Sequence, residues 1–113
     1  MGVPEVACEA TPSAIVVTSQ LYLGENQFPN VLTFDDSGML TFTHGSSKIQ
    51  SDFTHVVEVR YGPVPMVLNL FTLSVVDREK RVPADRPTAY IAADCLSQLI
   101  RRFEDKVSFK YHP

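Results

Sequence analysis

The last third of the chain joins a short strand pattern to an amphipathic helix pattern, and this pair constrains the fold most strongly. Residues 88–93 are β-branched, aromatic and small, which predicts a strand. Asp94 follows as the predicted N-cap, whose carboxylate accepts from free N–H groups of the first helical turn. Large apolar residues then recur at helical spacing, at Leu96, Leu99, Ile100, Phe103 and Val107. Because every upstream pattern is a strand, this helix must bury its apolar stripe against a sheet.

Strand patterns fill the chain upstream of this helix. Six segments precede the last strand, at residues 14–23, 31–35, 39–43, 48–51, 54–60 and 66–76. The turn signal at residues 35–38 predicts a hairpin between two of them. Residues 1–13, with two prolines, predict an N-terminal arm or linker. We therefore expect one domain over residues 14–110, mainly β with about seven strands and one C-terminal α-helix.

Length, charge and cysteine content narrow the class of protein. A chain of 113 residues suits one core, and its formal net charge of −3 gives no reason to expect nucleic-acid binding. The longest apolar stretch, residues 64–76, is too short to span a membrane, and no signal-peptide pattern opens the sequence. Cys8 and Cys95 are expected to be reduced thiols of an intracellular protein. We expect a cytoplasmic location, with association to the cytoskeleton or a membrane surface left open.

Residues with catalytic or metal-binding chemistry are present, but no motif organises them. The three histidines are scattered, and the nearby aspartates are explained by turn chemistry and solvation; these residues are His44, His55, His112, Asp35, Asp36 and Asp52. The sequence contains no Gly-x-Ser-x-Gly elbow and no glycine-rich phosphate loop. We therefore predict no enzyme activity, no metal and no cofactor.

A charged loop over residues 77–87 is the first candidate binding surface. Its four cations alternate with acids, and they are Arg78, Lys80, Arg81 and Arg86. One interpretation is a solvated loop. The other is an anion-binding site, where the cations meet a phosphorylated headgroup or an acidic peptide through charge-assisted hydrogen bonds.

The second candidate binding surface lies on the longest predicted strand, residues 66–76. If Phe71 and Leu73 face the core, alternation turns Leu68 and Leu70 outward. A bulge that changes face, or cover by the N-terminal arm, is one explanation. The other is that Met66, Leu68 and Leu70 form an apolar interface with a protein partner or a second copy of the chain.

Two stretches resemble the pleckstrin-homology-like superfold. Residues 53–62 resemble the middle strand and turn of phospholipase-C-type members, and residues 90–94 resemble the final strand entering the helix. The resemblance implies a seven-stranded antiparallel sandwich or bent barrel capped by the helix. A polo-box-like relative is an alternative with the same sheet and helix. The family's usual tryptophan position is occupied by Arg102, and Phe103 beside it lies on the apolar stripe.

The resemblance also implies a function. Such domains serve as adaptor or scaffold modules that bind proteins, and some bind phosphoinositides through cations around the first hairpin. Residues 24–30 contain no cation, so we expect no lipid site there. Any anionic-lipid recognition would then use the loop at residues 77–87, which the resemblance places at the open end of the sandwich beside the first hairpin.

Overall fold

Two β-sheets and one helix make up the fold in the computed structural model, which describes residues 5–20, 29–82 and 87–113. The first sheet is an antiparallel meander of β1 (Glu5–Ala10), β2 (Ala14–Gln20), β3 (Asn30–Asp35), β4 (Met39–His44) and β5 (Ser47–Asp52). A 3₁₀ turn at Phe53–His55 leads into the second sheet, which contains β6 (Val56–Pro63), β7 (Leu70–Asp77), β8 (Ala89–Ala92) and β9 (Phe109–Tyr111). Helix α1 (Ala93–Phe103) directly follows β8. The prediction of a mainly β fold with one C-terminal helix is confirmed.

The second sheet has the strand order β8-β7-β6-β9. Strand β9 follows the helix and runs parallel to β6, whereas the other pairings are antiparallel. The described residues therefore contain nine strands rather than the expected seven, and the two additional ones are β1 and β9.

The apolar stripe of α1 closes the core between the two sheets. Leu96, Leu99 and Phe103 are buried, and Ile100 is partly buried against the same cluster. The centroid of the Phe103 ring lies 5.7 Å from that of the Phe34 ring, which belongs to the first sheet. The predicted burial of the helix against a sheet is confirmed.

The start of α1 differs from the sequence expectation. Ala92 occupies the N-cap position, without a side-chain hydrogen bond, and the helix begins at Ala93. Asp94 lies inside the first turn, where its Oδ1 accepts from the Cys95 backbone N–H at 2.9 Å. The N-cap prediction for Asp94 is wrong, but its negative charge still lies at the helix end that favours it.

The segment expected to be an arm or linker contains a strand. All six residues of β1 pair with β2, and Cys8 lies opposite Val17. The Cys8 and Cys95 sulfurs form a disulfide, so the expectation of two reduced thiols is corrected. The reason is that folding brings together two Cα atoms 87 residues apart in sequence, to 6.1 Å.

Arg102 attaches the helix to the first sheet. Its guanidinium donates to the backbone oxygens of Thr11 at 2.7 Å and Pro12 at 2.9 Å. It also donates to both carboxylate oxygens of Asp36, at 3.2 and 2.8 Å. These bonds lower the pKa of the exposed Asp36 carboxyl. Arg102 therefore holds two turns of the first sheet against α1.

Candidate interaction surfaces

The hairpin between β6 and β7 ends in a turn that we call the apolar tip, residues 64–69. Its backbone is fixed by hydrogen bonds from Val64 N to Leu70 O at 3.0 Å and from Val67 N to Val64 O at 3.3 Å. Met66 and Asn69 adopt positive φ angles of 63° and 62°. Pro65 lies between Val64 and Met66, and its ring fixes its own φ angle. The tip is therefore a structured turn.

The side chains of the apolar tip include the most exposed large apolar residues in the described part of the chain. The relative exposures of Met66 and Leu68 are 104% and 90%, whereas that of Leu70 is 5%. The sequence pattern predicts these three residues in a row on one outward strand face, and this prediction is wrong. Met66 and Leu68 lie in the turn, and Leu70 is a buried β7 residue opposite Ala92.

The chain segment that contains the apolar tip is uncharged. Residues 61–76 contain no Asp, Glu, Lys, Arg or His. Val64 and Val67 are half-buried, while Pro65 is exposed beside Met66. The tip therefore presents apolar surface on a fixed backbone, and the adjoining parts of β6 and β7 carry no charged side chain. The prolines at positions 63 and 65 predict a stiff loop over residues 61–65, but the apolar run that follows favoured a strand already from Met66. The structure places the turn at residues 64–69 instead.

The charged loop lies at the opposite end of the same hairpin. Val56, at the start of β6, pairs with Asp77, whereas Pro63, at its end, pairs with Phe71. A strand of this length separates its two ends by roughly 20 Å. The two surfaces suggested by the sequence are therefore separate, and one ligand contacting both would have to span the length of the hairpin.

A buried ionic network occupies the beginning of the charged loop. The Asp77 side chain is fully buried, and it accepts from the Ser51 hydroxyl, from Glu79 N at 2.8 Å and from an Arg81 nitrogen at 3.3 Å. Arg81 also donates to Ser51 Oγ at 3.1 Å and pairs with Glu79 Oε2 at 3.2 Å. Arg81 therefore links β5 to the loop after β7.

Burial raises the pKa of the Asp77 carboxyl, but the hydrogen bonds from Ser51 and Glu79 and the Arg81 charge outweigh it. The resulting pKa lies below the ordinary value of 3.8. The network therefore stabilises the ionised carboxylate within the fold.

The remaining cations of the predicted anion site are not gathered into one place. Arg78 and Lys80 are exposed, and Lys80 has a positive φ of 57°. Arg86 lies outside the described residues, as do residues 24–28 of the first hairpin. The predicted proximity of the loop to that hairpin therefore stays a prediction.

We expect Arg81→Ala to lower the free energy of unfolding by about 1–2 kcal/mol, because it removes a charged donor from the buried Asp77. The matched double variant Arg78→Ala/Lys80→Ala should change it by no more than about 0.5 kcal/mol, since both side chains are exposed. Urea unfolding at neutral pH measures both changes. Equal losses in the two variants would contradict a structural role for Arg81.

The Asp77 network also predicts a pH dependence of stability. Because its pKa is lower in the folded chain, Asp77 contributes stability above its unfolded pKa and loses it as pH falls through the lower folded value. Asp77→Asn should therefore be clearly less stable than the parent at pH 7, and the difference should shrink at pH values below about 4. Parallel urea titrations across this pH range measure it. A stability difference that grows on acidification would show that the carboxylate is not stabilised in the fold.

The histidines do not converge. His112 Nε2 lies 3.3 Å from Glu58 Oε2 at the β6–β9 edge, whereas His44 ends β4 and His55 ends the 3₁₀ turn. Within the described ranges, no cluster of three or more His, Cys, Asp or Glu residues is arranged to hold a metal. Across the same residues, no helix has the length and apolar character needed to cross a membrane.

Comparison with known proteins gives no match: neither a family model, nor a curated protein, nor a solved structure is similar to the chain.

Proposed function

We propose that this chain is a pleckstrin-homology-like domain that serves as a non-catalytic protein-interaction module, an adaptor or scaffold element of an intracellular protein. The order of its elements supports the fold assignment. Strands β2 to β8 are seven strands joined only by antiparallel pairings, and α1 follows them. In this interpretation β1 and β9 are additions at the sheet edges.

The observation that carries the proposed function is the exposure of Met66 and Leu68. Two large apolar side chains exposed to water in the same turn forgo about 25 cal/mol for each Å² that a partner would cover. The fixed backbone of the apolar tip lowers the ordering cost of binding, because the turn is already formed. A partner with an apolar pocket fits this surface, with Met66 and Leu68 as its anchors.

The distribution of charge favours a protein partner over an anionic membrane. A membrane-inserting apolar tip gains affinity from cations beside it, which contact the lipid headgroups. Of the cations in the charged loop that the structure describes, Arg78 and Lys80 lie at the other end of the hairpin, and Arg81 is engaged by Asp77 and Glu79. Arg60, which lies nearer the tip in β6, is paired with Glu58.

The test places a photo-crosslinking amino acid at position 68 in the full chain and exposes it to extract from cells that express this protein. A crosslinked partner should appear, and Met66→Glu in the same chain should abolish it, since binding would desolvate an unpaired carboxylate. The matched control carries the crosslinker at position 57. Val57 is also an exposed apolar residue, at 47%, but it lies at the far end of β6.

Three results would contradict the proposal. The first is that crosslinkers at positions 57 and 68 capture the same proteins. The second is that Met66→Glu leaves crosslinking from position 68 unchanged. The third is flotation of the chain with phosphatidylserine or phosphoinositide vesicles that is lost in Met66→Glu, which would assign the apolar tip to a membrane. Sedimentation across a wide concentration range identifies a second copy as the partner if Leu68→Glu abolishes self-association.

A further inference from the structure

Strand β1 is held in place with little side-chain burial. Of its residues only Val6 is half-buried, and the other five are exposed. The buried apolar cluster of the described chain contains residues from both sheets and α1, but none from β1. Strand β1 is the edge strand of its sheet and pairs on one side only, with β2. The position of β1 therefore depends on its backbone ladder with β2, on its contacts with β8 and on its covalent link to α1.

That covalent link is the Cys8–Cys95 disulfide. Cys95 lies in the first turn of α1 and is only 2% exposed, whereas Cys8 is exposed on β1. An open cleft of about 460 Å³ adjoins the bond and is lined by both cysteines, with Val6, Asp94 and Gln98 among its other walls. A thiol entering from solvent can therefore reach the Cys8 sulfur, while Cys95 is shielded.

We propose that the Cys8–Cys95 disulfide is a redox latch on β1. When the bond is intact, β1 is fixed against β2 and the beginning of α1. Reduction releases β1 while the rest of the domain stays folded, because the core does not depend on that strand. The released segment uncovers the outer edge of β2, whose backbone groups pair with β1 in the latched state.

The chemistry is a thiol–disulfide exchange with a dithiol reductant. A thiolate of the dithiol attacks the Cys8 sulfur, a mixed disulfide forms there, and the Cys95 thiolate leaves. The second thiol of the reductant then loses its proton, and the resulting thiolate attacks the reductant's other sulfur, which is bonded to Cys8 in the mixed disulfide. This attack releases the Cys8 thiolate. The dithiol becomes a cyclic or intramolecular disulfide and loses two electrons. The two cysteines gain these electrons and end as thiols after taking up two protons.

Several neighbouring interactions define how far the release extends. The turn between β1 and β2 is held by Arg102, which donates to Thr11 O and Pro12 O, and by the bond from Thr11 N to Ala14 O at 2.8 Å. These contacts do not involve the disulfide, so the turn should stay attached after reduction. The released segment is therefore β1 itself, Glu5–Ala10, with the turn as its hinge.

The test is amide hydrogen exchange of the full chain, resolved by residue, before and after treatment with dithiothreitol. Reduction should accelerate exchange at the β1 amides by about 100-fold or more, because the cross-link no longer restricts local opening of the strand. Amides of Leu32 and Leu40 in β3 and β4 should keep their protection. Thiol titration should count no free thiol in the oxidised protein and two after reduction.

Cys8→Ser, without reductant, serves as a second test of the same release and should give the exchange pattern of the reduced parent. Unchanged protection of β1 in both states would overturn the latch, since the ladder with β2 would then suffice. Loss of protection in β3 and β4 together with β1 would overturn it as well, because opening would be global. So would a purified protein whose two thiols stay free in a buffer of oxidised dithiothreitol.

Discussion

Replacing Phe103 by alanine is expected to lower the free energy of unfolding by about 3–5 kcal/mol. Phe103 is completely buried in the last turn of α1. Its ring lies 5.7 Å from that of Phe34 and 5.8 Å from that of Phe53, which precedes β6. Truncation leaves a cavity where the helix and the two sheets meet. The Phe34 and Phe53 rings cannot fill this cavity without losing contacts of their own. Urea unfolding followed by far-ultraviolet circular dichroism measures the loss.

Arg101→Ala is the matched control, because Arg101 is exposed in the same helical turn. Its effect should stay within about 0.5 kcal/mol, as for most exposed substitutions. A loss in Phe103→Ala no larger than that of this control would mean that α1 does not close the core. Arg102 is unsuitable as a control, since its hydrogen bonds to Thr11, Pro12 and Asp36 contribute to stability themselves.

The features that local sequence patterns predicted are those that depend on local periodicity. The stripe from Leu96 to Phe103 follows the helical repeat, so its burial could be foreseen without knowing what covers it. The hairpin of β3 and β4 follows from the turn at residues 35–38, where Gly38 has a φ of 96°. In both cases the sequence pattern and the element that it predicts lie within one short, continuous segment of the chain.

Features that depend on distant contacts were missed. Nothing near Cys8 indicates that Cys95 lies beside it, because the pairing depends on how β1 and α1 are placed by the whole fold. Likewise, the local sequence places Asp77 in a charged loop and does not predict its burial, which Ser51, 26 residues away in sequence, makes tolerable. An ionisable side chain gives no local signal of the partners that will surround it.

The candidate site was predicted in part. The sequence singled out Met66 and Leu68 as apolar residues in need of an explanation, and the structure leaves both exposed. It grouped Leu70 with them because a predominantly apolar run favours a strand. The positive φ angles at Met66 and Asn69, which end the run as a turn, are properties of the folded backbone. Such angles are uncommon for residues other than glycine.

Gly62→Ala is expected to detach β9 from the second sheet. Gly62 is buried in β6, where its backbone lies directly against the chain that follows β9. An added Cβ would overlap the carbonyl oxygen of His112 and lie 3.1 Å from its carbonyl carbon. These are backbone atoms that cannot rotate away. His112 is also held in place by its N–H, which donates to Tyr61 O at 2.8 Å.

The substitution should therefore lower the free energy of unfolding by about 3 kcal/mol, near the upper end of the range for overpacked sites. The loss should be accompanied by faster amide exchange at residues 109–112. The contact between the rings of Tyr61 and Tyr111, now 5.5 Å apart, should disappear from nuclear Overhauser spectra.

Gly38→Ala is the matched control for this prediction. It also replaces a glycine by alanine, but no atom lies within 4 Å of the added Cβ. Its φ of 96° makes alanine strained, so some stability is lost there too. The difference lies in where the damage occurs: Gly38→Ala should leave exchange at residues 109–112 and the Tyr61–Tyr111 contact unchanged. If both variants leave β9 intact, the chain after β9 adjusts to the added methyl group, and the close approach at Gly62 is not what fixes β9 beside β6.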